Sequence, residues 1–166
     1  MSTLVGDLLS FTKGTVRKPD IVALHLADLV SRVIARECAA GADVTSAIPD
    51  EAQVMADTEY LQRAFSNLVR NALRYVVDAG PIQIHAQTQT GKTHLVVEDG
   101  GPGLPDGDLD AIFDPFYRPD AARTLGTSGA GLDLAIVKNC IEACGGTVFC
   151  RKRKPTGLKV TLTLTS

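Results

Sequence analysis

The chain has 166 residues and a mass of 17.6 kDa, enough for a single domain with a substantial core. Hydrophobic residues make up 45% and charged residues 22%, and the net charge of -2 mixes both signs, which argues against nucleic-acid and membrane surfaces as partners. No apolar run is long enough to cross a bilayer and no signal peptide opens the chain, so a soluble, cytoplasmic chain is expected, from a parent either free or anchored in the inner membrane.

The first residues carry Leu4-Val5, Leu8-Leu9 and Phe11 at helical spacing until Gly14 stops the pattern. One apolar stripe of this length cannot form a domain, so residues 1–18 are expected to be the end of a bundle helix and its linker. Residues 19–166 form the domain proper. Residues 20–24 are expected as a short strand. Residues 25–40 are expected as an amphipathic helix with Leu26, Leu29, Val30, Val33 and Ile34 on one face. Strands are expected at 42–48 and 53–56 around Pro49-Asp50-Glu51. Asp57-Thr58-Glu59 then supplies capping and acidic first-turn residues for a helix running to about residue 77.

Alternation of apolar and polar residues over 82–90 and 92–98, about Thr90-Gly91, predicts a β-hairpin. A short helix at 108–113 and an aperiodic, lid-like segment at 114–128 follow. Residues 131–143 are expected as a helix stopped by Gly145-Gly146, and strands at 147–152 and 158–164 close the chain. The order predicts an α+β fold: a two-layer sandwich with a mixed, mostly antiparallel sheet covered on one face by three helices. Cys38, Cys140, Cys144 and Cys150 lack a paired CxxC spacing and are expected as reduced thiols. The basic run Arg151-Lys152-Arg153-Lys154 is expected as a solvated hairpin turn.

Four stretches carry candidate chemistry. Val97-Glu98-Asp99-Gly100-Gly101-Pro102-Gly103-Leu104 delivers a carboxylate to a strand end and follows it with residues that let backbone approach a ligand. Asp99 there either accepts from an exocyclic amine or merely forms an Asx turn. On the helix from Asp57, Asn67, Asn71, Arg74 and Tyr75 are i, i+3 and i+4 neighbours beside the core stripe. A carboxamide oxygen suits Mg²⁺, whose remaining positions go to water and phosphate; the plainer alternative is a solvated polar edge. Ile112-Phe113-Asp114-Pro115-Phe116-Tyr117-Arg118 puts aromatic bulk at the root of the lid and a guanidinium at its end. Finally, Gly126-Thr127-Ser128-Gly129-Ala130-Gly131-Leu132 runs into a helix, a source of bare amides for an anion.

In order and spacing these stretches resemble the N box, first glycine box, phenylalanine box and second glycine box of sensor histidine kinases, within the superfamily shared with gyrase and MutL ATPases. The resemblance covers residues 19–166 and implies an ATP-binding catalytic domain. By it, Asp99 holds the adenine amine and Asn71 ligates Mg²⁺, with Asn67 supporting the same site. Arg74 and Tyr75 line the phosphate end, Arg118 approaches the γ-phosphate, Gly101, Gly103 and Leu104 border the nucleotide, and the amides of Gly129, Gly131 and Leu132 cradle the phosphates. Asn67 and Arg118 are the implied catalytic residues.

The ATPase branch carries a Glu, the water-activating base, where this chain has Asn67. An amide cannot take that proton, which favours transfer to a histidine. The implied partners are a phosphoacceptor histidine bundle in a homodimeric parent and a response regulator. His25, His85 and His94 do not sit in a phosphoacceptor setting, so the chain is expected to bind ATP without phosphorylating itself.

Asp133 stands where the family pattern has glycine, and Gly100 replaces its usual Asn. A carboxylate about 4 Å from a phosphate costs on the order of 4 kcal/mol at an effective dielectric of 20. Asp133 is nevertheless expected to face solvent in the first helical turn, leaving binding intact but weakened. A nucleotide-poor docking module spoiled by Asp133, and a serine kinase of the anti-sigma type, are the alternative readings.

Overall fold

The computed structural model describes residues 18–38, 43–75, 81–101, 109, 111–114, 133–153 and 157–166. The expected bundle-helix end, most of the lid and the second glycine box lie outside these residues. Strand β1 (Val22–His25) leads into helix α1 (Leu26–Glu37), followed by β2 (Val44–Ala47), β3 (Gln53–Ala56) and helix α2 (Thr58–Tyr75). A hairpin of β4 (Ile82–Gln89) and β5 (Lys92–Glu98) comes next, then a 3₁₀ turn (Ala111–Phe113), helix α3 (Asp133–Ala143), β6 (Thr147–Lys152) and β7 (Leu158–Thr165).

Five strands form one sheet in the order β2-β4-β5-β7-β6, with β2 parallel to β4 and every other pairing antiparallel. The fold is the expected α+β sandwich. The hairpin turn is set by Thr90 (φ 51) and Gly91 (φ 75). Positive φ at both central residues is the type I′ geometry whose twist matches paired strands. Strands β2 and β3, neighbours in sequence across Pro49, part company. β2 joins the edge of the large sheet, while β3 pairs with β1 in a separate two-stranded ribbon.

Period-two alternation puts Ile82 and Ile84, Leu95 and Val97, and Val160, Leu162 and Leu164 in the core. The helices meet them with Leu26, Leu29, Val30 and Val33 of α1 and Leu61, Phe65, Leu68 and Ala72 of α2. From α3 come Leu134, Ile136, Val137 and Ile141. Helix α1 holds its whole hydrophobic pattern but ends at Glu37, short of the expected residue 40, where Cys38 takes extended backbone (φ -100, ψ 123). Ile112 and Phe113 of the 3₁₀ turn are buried core residues against α3. Burial pushes the Cys140 thiol up to about 11, so it stays protonated. At the edge of the large sheet, Arg151 of β6 lies over the Phe149 ring, 5.2 Å from its centroid. Among the described residues no helix is long and apolar enough to cross a membrane.

Asp57 is the N-cap of α2. Its Oδ1 accepts from the Tyr60 amide (3.1 Å) and its Oδ2 from the Asp20 amide (2.8 Å), while the residue is only 2% exposed. One carboxylate thereby fixes the start of α2 and the entry to β1. Asp57→Ala should lower unfolding free energy by about 1–2 kcal/mol in urea denaturation, the upper range of cap loss, because the Asp20 amide loses its acceptor as well.

Candidate nucleotide site

Helix α2 spends its apolar stripe on the sheet and keeps a polar edge beside it. Asn67 is buried, and its Nδ2 donates to the Arg63 carbonyl one turn back (2.8 Å). That donation ties the amide down and turns its oxygen to the acceptor role. Asn71 follows one turn on, half-buried, with no side-chain hydrogen bond to a described residue. Arg74 lies in the last turn and Tyr75 closes the helix, its side chain outside the described set. Among the described residues no three His, Cys, Asp or Glu side chains are grouped to hold a metal ion. The two carboxamide oxygens suit Mg²⁺, a hard cation that uses few protein ligands and fills its shell with phosphate and water.

Asp99 sits just past the end of β5. Its amide donates to the Leu158 carbonyl (3.0 Å), extending the β5–β7 ladder by one bond. Its Oδ1 accepts from the Gly101 amide (2.9 Å), so the Asx turn forms and the Gly101 N–H is already used. Two residues that the sequence reading did not single out complete this corner. Gly157 has φ +112, and a Cβ there would collide with the Asp99 carbonyl, so only glycine fits. Arg153, expected as part of a solvated turn, is instead partly buried, with Nε 3.5 Å from Glu98 Oε1 and Nη2 3.4 Å from Gln83 Oε1. The signals were available: Thr156-Gly157 as a turn, and a basic residue following a strand next to an acidic strand end.

Burial pushes the Asp99 carboxyl above the usual carboxylate range; the Gly101 and Leu158 amides and the Arg153 cation pull it part of the way back.

The expectation for Asp133 is corrected. It does not face solvent: it is 6% exposed, and its Oδ2 is 2.6 Å from Arg74 Nη1. A carboxylate placed so deep needs a cation. The tight packing of α3 on α2 brings Arg74 to it across 59 positions of sequence. Gly103, Leu104, Arg118, Gly129, Gly131 and Leu132 lie outside the described residues. A hollow of about 330 Å³ lined by Asp20, Val22, Asp57, Thr58 and Glu59 lies at the opposite end of α2, and its three carboxylates make it unsuited to phosphate.

A helix with a polar edge that ends against α3, and an acid at a strand end beside glycines, are carried on one α+β sandwich. Residues 56–166 match the family described as histidine kinase-, DNA gyrase B- and HSP90-like ATPase, and the chain belongs to it. A sensor-like histidine kinase, SenX3 of Mycolicibacterium smegmatis, is 29% identical over 99% of the chain and 44% of its own length. The sensor histidine kinase CusS of Escherichia coli O157:H7 is 35% identical over 89% of the chain and 32% of its own length. The chain thus spans less than half of these relatives. Among solved structures, full-length ShkA in complex with AMPPNP shares the fold, with a TM-score of 0.78 and 24% identity over 99% of the chain and 36% of ShkA.

The raised Asp99 value gives a stability signature. The folded chain holds this proton more tightly than the unfolded one, so stability falls as pH rises from the ordinary carboxylate value through the raised one. In Asp99→Asn this portion of the profile should flatten, as measured by denaturation of both proteins across acid to neutral pH.

Proposed function

We propose that the chain is the ATP-binding catalytic domain of a sensor histidine kinase, working on the cytoplasmic side of a homodimeric parent. It would transfer the γ-phosphoryl of Mg-ATP to a histidine on a dimerisation helix, for passage to a response regulator. Residues 1–18 would be the end of that bundle and its linker. The observation that carries the reading is the pairing of functions on two rigid elements: an acid with a free acceptor face at the end of β5, and the Asn67, Asn71 and Arg74 edge on α2.

Asp99 would accept from the adenine amine, its position fixed by the Leu158 carbonyl, the Gly101 amide and the Gly157 turn. Asn71 and Asn67 would hold Mg²⁺, which when bound supplies charge neutralisation at the phosphates. Arg74 would face the phosphate end, with Tyr75 and Arg118 completing it. Gly101, Gly103 and Leu104 would border the nucleotide, and the amides of Gly129, Gly131 and Leu132 would cradle the phosphates. Asn67 carries no basic group and is engaged by the Arg63 carbonyl, so it offers nothing to deprotonate water. Catalysis then rests on positioning and charge stabilisation.

The chain's own histidines fit no acceptor role. His85 Nε2 is 2.6 Å from Glu98 and His94 Nδ1 is 2.9 Å from Thr163, both on the sheet, while His25 ends β1. A nucleotide-poor docking role loses its main support, because Asp133 is not a bare charge. The names of the relatives favour a histidine-directed over a serine-directed kinase.

Titration calorimetry should show that Asn71→Ala loses Mg-dependent nucleotide binding. Asp99→Ala should lose the preference for ATP over GTP. Parent-like ATP binding by both variants would overturn the site. Parent protein supplied with a separately made bundle should phosphorylate its histidine, giving an acid-labile, base-stable product.

A further inference from the structure

The last turn of α2 and the first residue of α3 are joined by one contact, Arg74 Nη1 to Asp133 Oδ2 at 2.6 Å. The side chains are unequal in exposure, 24% for Arg74 and 8% for Asp133. Asp133 is therefore the sunken anchor and Arg74 the outward arm. The contact is single-point, whereas a guanidinium carries five N–H donors. Nη2 and Nε of Arg74 make no other hydrogen bond among the described residues. Arg74 is thus gripped by one nitrogen, and it stems from the same helix edge as Asn67 and Asn71.

From this geometry we infer that Asp133 is a positioning residue for Arg74 that sets how strongly the site holds a polyphosphate. The inference rests on the functional reading above, in which Arg74 faces the phosphates. The carboxylate fixes the arm between α2 and α3 and cancels its charge. An incoming phosphate must share one cation with an anion already bound to it. Adenine recognition at Asp99, on a different element, is untouched by this competition. The pair therefore weakens ATP relative to adenosine, and the weakening acts through Arg74 alone.

Four proteins test this: parent, Arg74→Gln, Asp133→Asn and the double variant, each titrated with Mg-ATP and with adenosine. Arg74→Gln leaves Asp133 as a lone anion and should weaken ATP by at least about tenfold at moderate salt. Asp133→Asn frees the arm and should tighten ATP severalfold. The double variant removes both charges together and should return ATP affinity to within about threefold of the parent. It also keeps the test open if a single variant with one buried charge fails to fold. Adenosine affinity should stay constant throughout, which loss of packing alone would not produce. A double variant as weak toward ATP as Arg74→Gln, or adenosine moving in step with ATP, overturns the inference while leaving the functional reading intact. A parent that binds no Mg-ATP overturns both.

Discussion

A sheet with one apolar face has to be roofed, and nearly everything about the candidate site follows from how this chain does it. Ile84, Leu95, Val97, Leu162 and Leu164 form a continuous apolar surface that only helices with matching stripes can cover. α2 supplies one such stripe through Leu61, Phe65 and Leu68, and α3, with Val137 and Ile141 buried in the same core, packs tightly against α2. The polar edge of α2 is what remains once that stripe is committed. Three candidate site residues sit where an apolar element stops: Asp99 past the end of β5, Arg74 in the last turn of α2, Asp133 at the first residue of α3. Core packing thereby runs up to these three positions, an arrangement suited to holding side chains in place.

Asp99 shows what that arrangement costs. Its carboxylate is placed where burial disfavours the charge, and three surrounding groups only partly compensate. Holding a carboxylate where its charge is disfavoured costs local stability, a trade met at functional positions. Gly157 belongs to this corner as much as Asp99 does, because its backbone is seated against the Asp99 carbonyl.

Sequence periodicity and turn chemistry located every described element to within a few residues, from the capping Asp57 to the Thr90-Gly91 turn. These features were legible because their physics is local: a helix stripe, a two-residue turn and a cap each involve neighbours along the chain. Sheet order was less accessible. Nothing in residues 43–56 says that β2 will pair in parallel with β4 while β3 pairs with β1, since that choice is made by long-range contacts. Asp133 failed for the same reason. As a first-turn acid it satisfied a local rule, but its environment depends on Arg74, which only the packing of α3 on α2 brings near. Arg153 was misjudged by its company: among four consecutive basic residues it looked solvated, although the strand end beside it offers Glu98.

Strand β6 ends the large sheet with one side of its backbone unpaired among the described residues. Exposed strand margins invite a second chain to add itself, and Phe149, 39% exposed, would make such addition sticky. Arg151 shields that ring, so two copies approaching margin to margin bring like charges together. Positive charge on a sheet margin thus opposes the strand-to-strand addition that its unpaired backbone would otherwise invite.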